Sequence, residues 1–216
     1  MDLNLITVRK KLVELGYYTV VTEVPVSELI DFDYKLILSP PPANDSIITK
    51  KETIMVAEAT KKYRSKKDLE FIHRMDEDMD SFFIELLKKH NLKYPQRYID
   101  LFYELVEPVL MNTKNHWNRP RPIQIADFYG IEMDPIVTDT IHTASYPSGH
   151  TFYSQLVANI LSKVYPQLSL QFDNIAKDTG VARVQQGVHF PSDNVASIVL
   201  ANTMYSRMQP KLERFF

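Results

Sequence analysis

Apolar residues recur along this chain mostly three and four positions apart, the spacing of one helical face, and that period predicts an all-α fold. At the start, Leu5, Val8, Leu12 and Leu15 keep helical spacing, and the β-branched stretch "YYTVVTEVPV" after them suits a strand or an extended arm. The segment "LSPPPANDS" then breaks the pattern. Its three consecutive prolines can continue neither a helix nor a central strand, which predicts an extended strap. Helical periodicity resumes over residues 51–63, 67–89 and 96–111 and breaks at the prolines of 119–122. An acidic and β-branched loop is expected to about residue 144, with helices over 148–164, 169–185 and 192–208 after it. The chain shows no internal repeat and no low-complexity tract.

Composition narrows the reading. With 216 residues, 44% hydrophobic and 24% charged, the chain has material for one sizeable core, so one main domain is expected. A formal charge of −2 and a pI near 6.3 lack the positive field of a general nucleic-acid binder. No run approaches the ~18 unbroken apolar residues of a membrane span. The cationic start, Arg9 to Lys11, leads into no apolar h-region or cleavage site and does not read as a signal peptide. Cysteine is absent, which excludes disulfides and thiolate chemistry and fits a reducing compartment.

The candidate chemistry lies in three separated stretches. "KNHWNRPRP" gathers Lys114, His116, Arg119 and Arg121 where a helix meets a proline break. "SYPSGHT" places Ser148, Gly149 and His150 at a helix start, and "ARVQQGVHFPSD" carries Arg183, His189 and Asp193 across a helix junction. Singly, each has a plain structural reading: a basic helix end, an N-cap, and a turn with a carboxylate at the next helix's first turn. Together they describe an oxyanion site. Lys114, Arg121 and Arg183 supply positive charge and forked donors that match phosphate oxygens. The helix beginning at "PSGH" offers unpaired N–H groups to an anion, with Gly149 expected to permit close backbone approach. His189 can act as nucleophile if Asp193 holds its other ring nitrogen, and His150 can protonate the leaving oxygen and then activate water. Cationic side chains would do the electrostatic work, so no metal is expected.

These three stretches, in this order and spacing, resemble the tripartite signature of the type 2 phosphatidic acid phosphatase (PAP2) superfamily, which also holds the vanadium-dependent haloperoxidases. The proline strap and the Lys-x-His-x-x-Arg-x-Arg-Pro form of the first stretch are similar to soluble bacterial class A non-specific acid phosphatases. The resemblance covers residues 36–216 and implies a PAP2/chloroperoxidase-like helical bundle, with residues 1–35 as an extension that has room for a strand. It implies metal-independent hydrolysis of a soluble phosphomonoester by acid phosphatase chemistry through phosphohistidine. His189, His150 and Asp193 would then be catalytic, and Lys114, Arg121, Ser148, Gly149 and Arg183 would bind phosphate. No cofactor is implied, vanadate being an inhibitor. Neither nucleic acid nor membrane is an expected partner, and a homodimer is allowed. Class A enzymes are usually exported and often carry a disulfide. Without either feature the expected location is cytoplasmic or viral, or periplasmic if a leader has been removed. Ala182 stands where the family usually has serine, a change expected to shift rate more than reaction type.

Two other functions fit the same residues. A vanadium haloperoxidase would hold vanadate as cofactor on His189, and a non-catalytic phosphate-binding or virion protein would keep the cradle without turnover. His116 and Arg119 are expected to support the site rather than react, and His142 to be a loop histidine. The aromatic group Tyr98, Phe102, Tyr103 and Trp117 reads as core, as do Met204 and Met208, and the acidic run 76–80 as a solvated helix face.

Overall fold

A computed structural model of the chain describes residues 5–7, 23–25, 33, 36–136 and 138–212. Eight α-helices are found among them: α1 (Ile47–Lys62), α2 (Lys66–Glu77), α3 (Asp80–Lys89), α4 (Gln96–Trp117), α5 (Pro122–Tyr129), α6 (Gly149–Val164), α7 (Ser169–Gln185) and α8 (Pro191–Leu212). Short 3₁₀ turns lie at Asp139–His142 and Pro166–Leu168. Strands Leu5–Thr7 and Glu23–Pro25 pair antiparallel, Leu5 opposite Pro25. Leu5 therefore sits on a strand although its spacing suggested a helix; Val8, Leu12 and Leu15 lie outside the described residues.

Local chemistry sets the boundaries. Ser46 caps α1 by accepting from the Thr49 amide at 3.1 Å, and Thr49 Oγ1 donates back to the Ala43 carbonyl at 2.8 Å. That tie fastens the proline strap to the first turn of α1. The single helix expected over 67–89 is two, because Asp78 ends α2 and its carboxylate accepts from the Ser81 amide at 3.2 Å, opening α3. Helix α4 runs past residue 111 to Trp117 despite Pro108, and stops at Asn118 in the left-handed conformation, φ 45°. The expected loop after 122 begins with a further helix, α5, whose Pro122 at the first position and left-handed Gly130 are ordinary start and stop signals.

Helix α6 lies at the centre and packs on α7, α8 and α4. Its Phe152, Leu156, Val157, Ile160 and Leu161 are buried with Phe83 and Leu87 of α3, Phe102, Val106 and Val109 of α4, Phe172 of α7, and Leu200, Met204 and Met208 of α8. Each such side chain stabilises the fold by about 1.5–3 kcal/mol through burial, which makes this cluster the main source of stability. Tyr98, Tyr103 and Trp117 pack against it, as expected of core aromatics. Thr151 on α6 donates to Asn194 on α8 at 2.8 Å, and Asn194 donates to the Gly180 carbonyl on α7 at 2.8 Å. A Cβ at Gly180 would stand 3.2 Å from that amide, so glycine lets the three helices meet just below the start of α6.

Candidate active site

Three helix junctions converge beside the N-terminus of α6. Ser148 is its N-cap and is buried, and the first turn carries Gly149 and His150. Lys114 reaches this point from the last turn of α4, donating to the Ala144 carbonyl at 2.8 Å. Arg121, just before α5, donates to the carbonyls of Thr143 and Val188, each at 2.8 Å, and to Thr143 Oγ1 at 3.0 Å. Arg183, near the end of α7, is 1% exposed and donates to Gln186 Oε1 at 2.5 Å and to the carboxylate of Asp76. The three cations expected to bind phosphate are thus brought together and buried. Burial, reinforced by Arg121 and Arg183, holds the Lys114 ammonium well below the usual lysine range.

His189 lies in the turn between α7 and α8. Gly187 makes that turn possible at φ +86°, where a Cβ would come within 2.6 Å of Thr60. The ring is fixed at both nitrogens. Nε2 is 2.9 Å from Arg121 Nη1, and a guanidinium can only donate, so Nε2 is the acceptor. Nδ1 therefore carries the hydrogen in the neutral ring and donates to Asp193 Oδ2 at 3.2 Å. Burial, then Arg121, Lys114 and Arg183, hold the imidazole well below its ordinary value. A neutral ring with its Nε2 lone pair turned to the cations is what a nucleophile toward phosphorus requires.

Asp193, in the first turn of α8, is fully buried and fully engaged. Oδ2 also accepts from Ser145 Oγ at 2.6 Å and the Phe190 amide at 2.9 Å, while Oδ1 accepts from Arg119 Nη1 at 2.7 Å. Burial pushes its carboxyl up, against the pull of Arg119, Ser145 and the Phe190 amide. Arg119 continues outward to Glu52 on α1 at 3.1 Å, with its guanidinium 4.0 Å over the Phe190 ring. Glu52 in turn accepts from the Ser192 amide at 2.8 Å and Ser192 Oγ at 2.7 Å. Arg119 has the supporting place expected of it, and His116 is exposed beside Trp117, ring centroids 4.6 Å apart. His142 is exposed on its 3₁₀ turn.

His150 stands in different surroundings. Its Nε2 is 2.8 Å from the Asp76 carbonyl and 3.4 Å from the Asp76 carboxylate. A carbonyl only accepts, so Nε2 carries a hydrogen and Nδ1 is the nitrogen that gains or loses a proton. Burial first, then Arg183 and Arg121, lower the imidazole to about 4, with Asp76 opposing them. Asp76 and Asp80 correct the reading of the acidic run as solvated: Asp76 faces this site, and Asp80 accepts from Tyr103 Oη at 3.0 Å. Gly149 follows the Ser148 cap, and a Cβ there would meet Lys114 Cε at an ordinary 3.8 Å. No protein group crowds that position. Ser145 lies within the second stretch and Gln186 within the third, so their place was readable there; Glu52 carries no local signal.

Among the described residues no group of three or more His, Asp or Glu side chains could hold a metal ion, and no helix is long and apolar enough to cross a membrane. The chain is 31% identical over 99 residues to a non-specific acid phosphatase of Salmonella typhi, covering 45% of this chain and 39% of that protein. It is 33% identical over 94 residues to an acid phosphatase of Zymomonas mobilis, covering 41% and 33%. The matched stretch thus spans well under half the length of these relatives. In fold it is similar to a transmembrane PAP2-type phosphatidylglycerolphosphate phosphatase from Bacillus subtilis, with TM-score 0.54, 19% identity, and 78% of this chain and 88% of that one covered. It is also similar to a bacterial vanadium-dependent iodoperoxidase, with TM-score 0.56, 17% identity, and 80% and 52% covered. The sequence profile of the PAP2 superfamily matches residues 101–208, the half of the chain that supplies Lys114, Arg121, His150, Arg183, His189 and Asp193 to this cradle, and the chain belongs to that superfamily.

Proposed function

We propose that the chain is a phosphatase of soluble phosphomonoesters, working without a metal through a phosphohistidine. One observation carries the reading: the neutral His189 ring is locked with Nδ1–H toward Asp193 and the Nε2 lone pair beside Arg121. In the first step Nε2 attacks phosphorus, the bond to the leaving oxygen breaks, and His150 gives that oxygen its proton. Asp193 stabilises the ring as it becomes cationic. In the second step water attacks phosphorus, His150 takes the water proton, and the P–N bond breaks to release phosphate and restore His189. Lys114, Arg121 and Arg183, with the first amides of α6, neutralise charge on the equatorial oxygens as the five-coordinate state forms. The acid phosphatase matches and the superfamily membership support this reading.

Activity should persist after dialysis against EDTA, vanadate should inhibit as a mimic of the five-coordinate state, and enzyme quenched with detergent at alkaline pH should carry acid-labile phosphate on His189. A strict need for added Mg²⁺ or Zn²⁺ would overturn the mechanism. Halide oxidation with vanadate and peroxide, in place of p-nitrophenyl phosphate hydrolysis, would assign the cradle to haloperoxidase chemistry. Phosphate binding with neither activity would make it a binding protein.

A further inference from the structure

Asp76 lies in the last turn of α2 inside a run of acidic residues, and nothing in the sequence separates it from Glu77, Asp78 or Asp80. In the fold its partners come from three other parts of the chain. The carboxylate accepts from Arg183 Nη1 and, at 3.1 Å, from Gln186 Nε2, and it also bonds the Thr138 side chain. His150 meets both the carbonyl and the carboxylate of this one residue. We propose that Asp76 is a positioning residue for the phosphatase reaction, holding the proton donor His150 and the anion-binding Arg183 in one frame so that both act on the same phosphate. The inference rests on the phosphatase reading of the site.

The geometry gives Asp76 two separable effects. Its carbonyl fixes the His150 tautomer and so selects Nδ1 as the nitrogen that delivers the proton. Its carboxylate is the negative group facing His150, whereas Arg183 on α7 and Arg121 before α5 face the ring with positive charge. Without that carboxylate, burial and two arginines would lower the ring still further and weaken its hold on the proton it must deliver. Arg183 depends on the same group. Its guanidinium is almost wholly buried, and Asp76 with Gln186 sets the direction of Nη1. A structural clasp between α2 and α7 would use the same bonds but would have no link to leaving-group chemistry.

Asp76→Asn keeps the shape and removes the charge. The sign follows from the loss of a negative neighbour: His150 binds its proton less tightly, so the alkaline limb of kcat moves to lower pH. With glycerol 1-phosphate, whose alkoxide needs a proton to leave, kcat should fall about tenfold or more relative to the fall with p-nitrophenyl phosphate. KM should rise by a similar factor for both substrates, since Arg183 loses its anchor. Equal slowing of both substrates with an unmoved alkaline limb would reduce Asp76 to a clasp and overturn the proposal. Gln186→Leu removes only the amide on the Asp76 carboxylate and the acceptor on Arg183, and should give the same substrate-dependent pattern at smaller amplitude. It decides the matter if Asp76→Asn does not fold. A wild-type enzyme that hydrolyses neither substrate would instead remove the phosphatase reading itself.

Discussion

His189 is 2% exposed and stands at the inner end of a line of buried side chains, Asp193, Arg119 and Glu52, with Ser145 alongside. His150 is 19% exposed and held by one acidic residue, Asp76. Both rings belong to one cationic cradle, and both are lowered by burial among arginines. The difference matches what the proposed mechanism asks of each ring. A nucleophile attacks in one protonation state and one tautomer, so every added hydrogen bond that fixes Nδ1–H helps it. An acid that becomes a base must lose and regain a proton within each turnover, so it needs a partner that favours the charged form and some access to water. The protein invests rigidity in His189 and leaves freedom to His150.

Three substitutions would break or sharpen that contrast. The largest effect belongs to His189→Ala, which should cut kcat by about 10⁴-fold or more on any phosphomonoester and abolish the trapped phosphoenzyme, because members of a chemical unit fail together. Substantial residual turnover would refute the nucleophile. His150→Asn should be selective: about 10²-fold on glycerol 1-phosphate and much less on p-nitrophenyl phosphate, whose phenolate departs without a proton. If both substrates slowed alike, His150 would be a phosphate-binding group at the helix start. Glu52→Gln should have the smallest effect, about tenfold in kcat on both substrates with the pH limbs in place, since it acts by orienting Arg119 and Ser192 and through them Asp193. A leaving-group dependence in Glu52→Gln would mean that the two halves are not separate.

Much of this site was legible because its members sit in short stretches whose spacing reports local chemistry. Ser148 before Gly149 and His150 marks a helix start, and Asp193 follows His189 by four positions across the opening of α8. Such signals live within one turn of chain. Asp76 and Glu52 lie 107 and 67 residues from the arginines they hold, and a buried carboxylate on a helix has the same neighbours in sequence as a solvated one. Only the packing of α2 and α1 against α7 reveals them. Helix α5 is a different case, since Pro122 and Gly130 were both visible and the β-branched, acidic residues after them outweighed the cue. The break at Asp78 hid inside a periodicity that both α2 and α3 continue.

The crowding of Lys114, His150 and His189 among fixed cations also governs how the cradle fills. Each of these groups, when the cradle is empty, holds its proton less tightly than it would in water. A dianion placed between them opposes that field and favours the protonated forms of Lys114 and His150, while the Nε2 lone pair of His189 faces phosphorus. Ligand capture is therefore coupled to proton capture. A dianion and a proton are therefore favoured together in the cradle, as long as the ligand itself stays dianionic. On the proposed phosphatase reading, the cradle needs no separate sensor of pH, because when empty it is itself short of the protons that a bound dianion restores.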